Sequence, residues 1–139
     1  MNAPLYTTEI LRLAASLNGP AALDREHGRA EVRSPTCGST VVTTVQLNSE
    51  GRVEAVSQHV HACAFGQASA ALLERGAADH DHEDVATALA GLDAWLGGAD
   101  AMPAWPGIAA LAPARSRKSR HGAILLPFRA LLAAIESAR

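Results

Sequence analysis

Two cysteines, Cys37 and Cys63, are the only thiols in this chain, and each stands where a thiolate would be useful. Cys37 lies in Ser34-Pro35-Thr36-Cys37-Gly38-Ser39, a Pro/Gly turn between two β-type runs, where side chains project from a scaffold into solvent. Cys63 closes His59-Val60-His61-Ala62-Cys63 and directly precedes Ala64-Phe65-Gly66-Gln67-Ala68-Ser69-Ala70, which reads as the first turns of a helix. A thiol at a helix N-terminus sits at the positive end of the macrodipole, which favours the thiolate that metal and sulfur chemistry require. His59, His61 and Cys63 share one side of a strand alternation, a spacing that can bind a transition metal, although strand-end histidines also simply face solvent. A hydrolytic Cys-His dyad would need an orienting carboxylate and an oxyanion hole, and the sequence shows neither.

These residues must be positioned by elements that the hydrophobic pattern outlines. Thr7–Leu17 has helical spacing, with Ile10, Leu13, Ala14 and Leu17 on one face, and Asn18-Gly19-Pro20 stops it. Arg29–Arg33, Thr40–Leu47 and Arg52–Val60 alternate or are rich in β-branched residues, and the turn Asn48-Ser49-Glu50-Gly51 makes the last two a hairpin. Beyond Cys63 the pattern predicts helices over Ala64–Arg75, Glu83–Leu96 and Ala123–Ser137, with a short one near Ile108–Leu111. Asp81 or His82 could cap the middle helix, and Gly97-Gly98 ends it. Trp95, Trp105 and Phe128 fall at positions expected to pack in the core. The order predicts an α+β fold with helices on one face of a small three-stranded antiparallel sheet.

Bulk properties narrow the classes. With 139 residues and no internal repeat or low-complexity linker, the chain reads as a single domain spanning 1–139. A hydrophobic share of 48% and a charged share of 19% are those of an ordinary globular protein. The formal net charge of -2 gives no reason to expect nucleic acid as a partner. No apolar run approaches the roughly 20 residues that span a bilayer, and Met1–Tyr6 has no signal-peptide pattern, so a cytoplasmic location is expected. There, cysteines serve as free thiols or ligands more often than as disulfides. The basic loop Arg115-x-Arg117-Lys118-x-Arg120 reads most simply as a solvated connection, with a docking patch for an acidic partner as its functional reading. His80 and His82 sit in a solvated acidic stretch, Asp79–Asp84, where a metal site is not expected.

Taken together, the motifs resemble the iron–sulfur cluster scaffold family of IscU, SufU and the N-terminal domain of NifU, from about Leu5 to about Ile135. Ser34–Ser39 is similar to that family's Asn-Pro-x-Cys-Gly-Asp motif, and Cys63–Ala70 to its cysteine that opens a helix of small residues. Arg120–Leu131 is similar to the third motif in its SufU-like form, Arg-x-x-Cys-x-x-Leu-x-Trp-x-x-Leu. The long segment before it is also more like SufU, and the Leu-Pro-Pro-Val-Lys chaperone-recognition motif of IscU has no counterpart. Ala123 stands where the third cysteine belongs, and Ser39 where the family has an aspartate.

The resemblance implies a non-enzymatic scaffold or carrier that holds a transient iron–sulfur cluster. Cys37 and Cys63 would be its ligands, and His121, two residues before Ala123, would be an auxiliary third. A Cys37/Cys63/His121 set would also suit tetrahedral zinc with one open position. That is the basis of the alternatives: a zinc-binding SufU-like sulfur acceptor, or a metal-free module that regulates assembly. The implied partners are a cysteine desulfurase and apo acceptor proteins.

Overall fold

A computed structural model describes residues 6–35 and 38–139, so Thr36 and Cys37 lie outside the described residues. The chain opens with helix α1 (Thr8–Ala15), capped by the Thr7 hydroxyl, which accepts a hydrogen bond from the Ile10 amide. Strands β1 (Gly28–Arg33), β2 (Thr40–Leu47) and β3 (Val53–His61) follow, then helices α2 (Ala64–Gly76), α3 (His82–Leu96) and α4 (His121–Ser137). Between α3 and α4 run two 3₁₀ segments, Ile108–Ser116 and Lys118–Arg120. The strands form one antiparallel sheet in the order β1-β2-β3. The expected α+β architecture is the observed one.

Each boundary has a local cause. At the β2–β3 turn, Asn48 Oδ1 accepts from the amides of Glu50 and Arg52, and Gly51 takes the left-handed conformation (φ 77°) that glycine adopts at least cost. Helix α3 begins with a reciprocal capping box: Asp81 Oδ1 accepts from the Asp84 amide, and Asp84 Oδ2 accepts from the Asp81 amide. The connection after α3 differs from the expected short helix, because the 3₁₀ geometry carries on through Pro113 to Ser116.

The helices cover one face of the sheet. Val41 and Val45 of β2 are fully buried, while Val42, on the opposite side of the pleat, is only partly covered. Trp95, Trp105 and Phe128 are all core residues, as expected. Trp105 meets Phe128 edge-on with centroids 5.1 Å apart, and its indole N–H donates to the Leu72 carbonyl at 2.8 Å.

The direction of α4 decides where its N-terminus lies. Near its C-terminal end it touches the start of β1: a side chain at Gly28 would collide with the Ala134 carbonyl, and Ser137 Oγ accepts from the Arg29 amide. Further back, Leu126 and Ala130 pack on Val32, Val41 and Val60. The start of α4 therefore lies at the sheet end where Arg33 pairs with Thr40 and Thr40 with His61.

Candidate metal and sulfur site

Three chain segments meet at that end of the sheet. The first is the β1–β2 loop, closed by a hydrogen bond from the Ser34 amide to the Ser39 carbonyl at 2.8 Å. Ser34 and Ser39 are both buried, and Gly38 adopts φ 71°. Cys37 belongs to this loop but lies outside the described residues, and so does its distance to Cys63. The second segment is the start of α2, where Cys63 is the N-cap in an extended conformation (φ -66°, ψ 173°). Cys63 is a free, half-buried thiol whose side chain makes no capping bond; its carbonyl accepts the first intrahelical hydrogen bond, from the Gln67 amide. The Gln67 side chain also donates to the Ala62 carbonyl at 2.9 Å.

The third segment is the start of α4. A Cβ built on Gly66 would lie 2.6 Å from Ala62 Cβ, 3.2 Å from the Ala123 carbonyl oxygen and 3.3 Å from Ala123 Cβ. Helices α2 and α4 thus cross at near backbone contact one turn after Cys63. Buried Ser69 reinforces the crossing, its hydroxyl donating to the Ile124 carbonyl at 2.6 Å. Ala123, the position aligned with the third cysteine, is therefore seated beside the Cys63 turn and almost wholly buried. Gly66 and Ser69 were not picked out as positioning residues from sequence. Their signal was present as small side chains at i, i+3 spacing on one helix face.

His121 occupies a different place. Helix α4 begins at His121 itself, two residues before the expected start at Ala123 and straight after the 3₁₀ turn Lys118–Arg120. Two residues on a helix are separated by about 200° around its axis, so His121 and Ala123 cannot share a face. His121 Nε2 donates toward the carbonyls of Ala114 and Arg115, at 2.9 and 3.2 Å. Among the described residues no three His, Cys, Asp or Glu side chains form a group that could hold a metal ion. His59 and His61 are exposed neighbours on β3, with ring centroids 4.9 Å apart, and Cys63 does not join them in such a group.

The basic loop is only in part a solvated connection. Arg117 and Lys118 are exposed, but Arg115 ties the 3₁₀ segment to the end of α3. Its guanidinium donates to the carbonyls of Trp95 and Ala99, both at 2.9 Å, and lies over the Trp95 ring at 4.9 Å. A cation held this way is not available to a partner. His80 and His82 also have structural contacts: His80 stacks on Trp105, and His82 Nε2 lies 3.5 Å from Glu136 Oε1. Asp84, beside His80, has its carboxyl held below the usual carboxylate range. The Asp81 amide is the main cause, partly opposed by desolvation and assisted by His80 and Arg52.

No family model matches the sequence, and no curated protein is significantly similar to it. Solved structures are. A NifU-like protein (N-terminal) from Brucella abortus superimposes with a TM-score of 0.87 at 27% identity, over 96% of this chain and 94% of that one. A protein described as a SUF-system iron–sulfur cluster assembly scaffold, from Fervidobacterium islandicum, gives a TM-score of 0.80 at 16% identity, over 94% of this chain and 96% of that one. The second likeness is one of fold; the first extends to sequence across almost the full length. Both likenesses agree with the resemblance to the IscU/SufU/NifU N-terminal family that the sequence around Cys37 and Cys63 carries.

Proposed function

We propose that this chain is a scaffold or carrier in iron–sulfur cluster assembly, acting as one domain over residues 1–139, with Cys37 and Cys63 as its thiolate ligands. One observation carries the reading. The start of α2 at Cys63, the position aligned with the third cysteine at Ala123 and the loop that contains Cys37 all belong to one end of the sheet. Support also comes from the Brucella NifU-like protein and the Fervidobacterium SUF scaffold, whose folds this chain shares. Soft thiolates suit iron–sulfur clusters and also zinc or copper(I).

The cluster is cargo, and two thiolates hold it less firmly than three. His121 serves as an auxiliary ligand in this reading. Its Nε2–H is directed at backbone carbonyls, the arrangement that orients a ligating imidazole through its other nitrogen. Bringing Nδ1 to the thiolates requires the first turn of α4 to loosen, since Ala123 rather than His121 faces the α2 crossing. Sulfur would come from a cysteine desulfurase, and the cluster would leave to apo acceptor proteins.

A metal-free interaction module is the second reading. Alanine at position 123 and the placement of His121 on a different face of α4 from Ala123 favour it. Anaerobic reconstitution with iron and sulfide separates the two. The scaffold reading expects a labile cluster, visible in the absorption spectrum, that transfers to an apo acceptor and is lost in both Cys37→Ser and Cys63→Ser. Protein that takes up no cluster under these conditions, and no zinc when zinc is supplied instead, supports the metal-free module.

A further inference from the structure

Outside the Cys37–Cys63 site, the most distinctive side-chain pair is His59 and His61. They stand at i, i+2 on β3, so the pleat directs both to the same sheet face, the one opposite the helices. Both are exposed, and neither makes a hydrogen bond or an ion pair with any described residue. Their presence is therefore not explained by folding. Directly across on β2 stand Val42 and Thr40, which offer no carboxylate or cation to engage the rings. The nearest charged residues in register are Glu31 and Arg33, a further strand away on β1.

The ring geometry suits chelation. The centroids are 4.9 Å apart, with the planes tilted by 50°. With metal–nitrogen bonds of about 2.0–2.1 Å, rings at that separation subtend roughly 100° at one shared ion, an angle that tetrahedral and octahedral coordination both accept. A strand fixes the backbone spacing, so little reorganisation is needed beyond side-chain rotation. Imidazole nitrogens select zinc, copper, nickel and iron over calcium and magnesium.

We infer that His59 and His61 form a two-histidine chelate for a divalent first-row transition metal ion, with water completing its coordination. The site is separate from the thiolate site but close to it. Cys63 follows His61 by two residues, a chain distance of about 7 Å.

The test uses the full chain with Cys37→Ser and Cys63→Ser, so that thiolate binding is removed and failure of the scaffold reading has no bearing on the result. Nickel(II) is titrated by calorimetry, with imidazole resonances followed in parallel by NMR. The expected result is about one ion per chain, with the His59 and His61 resonances shifted selectively. His59→Ala and His61→Ala should each weaken binding at least tenfold, since even partners outside the coordination sphere contribute roughly 10–100-fold. His80→Ala and His82→Ala serve as controls and should leave it unchanged. Absence of nickel binding, or binding equally strong without His59 and His61, overturns the assignment. Both histidines are exposed, so unchanged circular dichroism will confirm that the variants fold.

Discussion

At the scale of single residues, the proposed site would have Ala123 and His121 divide the roles that one cysteine fills in the family motif. Ala123 has the location and lacks the chemistry; His121 has the chemistry and faces elsewhere. Ala123→Cys should therefore raise retention of a reconstituted cluster, measured as bound iron and sulfide after desalting, because the new thiol enters beside the Cys63 turn. Equal retention in both proteins would mean that position 123 is not part of the site. His121→Ala should lose at least tenfold in cluster or metal affinity at neutral pH if the imidazole ligates. If it only braces the Ala114–Arg115 carbonyls, the change will appear as about 0.5–1.5 kcal/mol of stability, with affinity intact. Asp84 gives a prediction in pH. Its folded-state carboxyl titrates below the unfolded one, so its stabilising effect is present above the ordinary value of about 3.9 and fades as pH falls through the lower, folded value. Asp84→Ala should accordingly be less stable than wild type in urea at pH 7, with the difference shrinking below about pH 4. A difference independent of pH would show that the carboxylate's charge is not what stabilises the cap.

At the scale of elements, the crossing of α2 and α4 is what holds the candidate site in shape. Gly66 permits the approach, and Gly66→Ala is a sharp test of it. Alanine is the better helix former by about 1 kcal/mol, so an open site would be stabilised. Here the new methyl meets Ala62 and the Ala123 backbone at 2.6 and 3.2 Å, so a net loss of about 1–3 kcal/mol is expected in denaturant unfolding. A stabilised variant would show that the helices stand further apart. The elements themselves were largely legible in the sequence because their signals are local. Richness in β-branched residues marked β2, Asn48–Gly51 marked its turn, and Asp81 or His82 marked the start of α3. What was not legible depends on contacts far apart in sequence. The role of Gly66 appears only against Ala123, and the direction of His121 only against Ala114. Arg115 read as part of a solvated basic loop because nothing nearby in sequence shows that it closes over Trp95.

At the scale of the whole molecule, the sheet's core-facing side is interrupted by a polar row. Ala30, Thr43 and Gln58 pair across the three strands, and Thr43 and Gln58 are buried. On the site side of this row, Val32, Val41 and Val60 pack with Leu126 and Ala130 as a small cluster of their own. On the other side, Val45 and Val56 belong to the main core with Phe65, Leu73 and Phe128. Gln58 is anchored on one side, its amide donating to the Ala70 carbonyl of α2 at 3.0 Å. Its Oε1 and the Thr43 hydroxyl have no hydrogen-bond partner among the described residues. A buried polar atom left unpartnered costs about 1–3 kcal/mol, so this row makes the site-bearing end less firmly joined to the rest than an apolar strand pair would. Thr43→Val tests that directly, because it keeps the β-branched shape, removes the hydroxyl and places a methyl between the two clusters. Stability in urea should rise by about 1–3 kcal/mol, and amide exchange should slow at Val41 and Val60 together with the main core. A fall in stability would show that the Thr43 hydroxyl is hydrogen-bonded in solution and that the row binds the two halves of the core instead of dividing them.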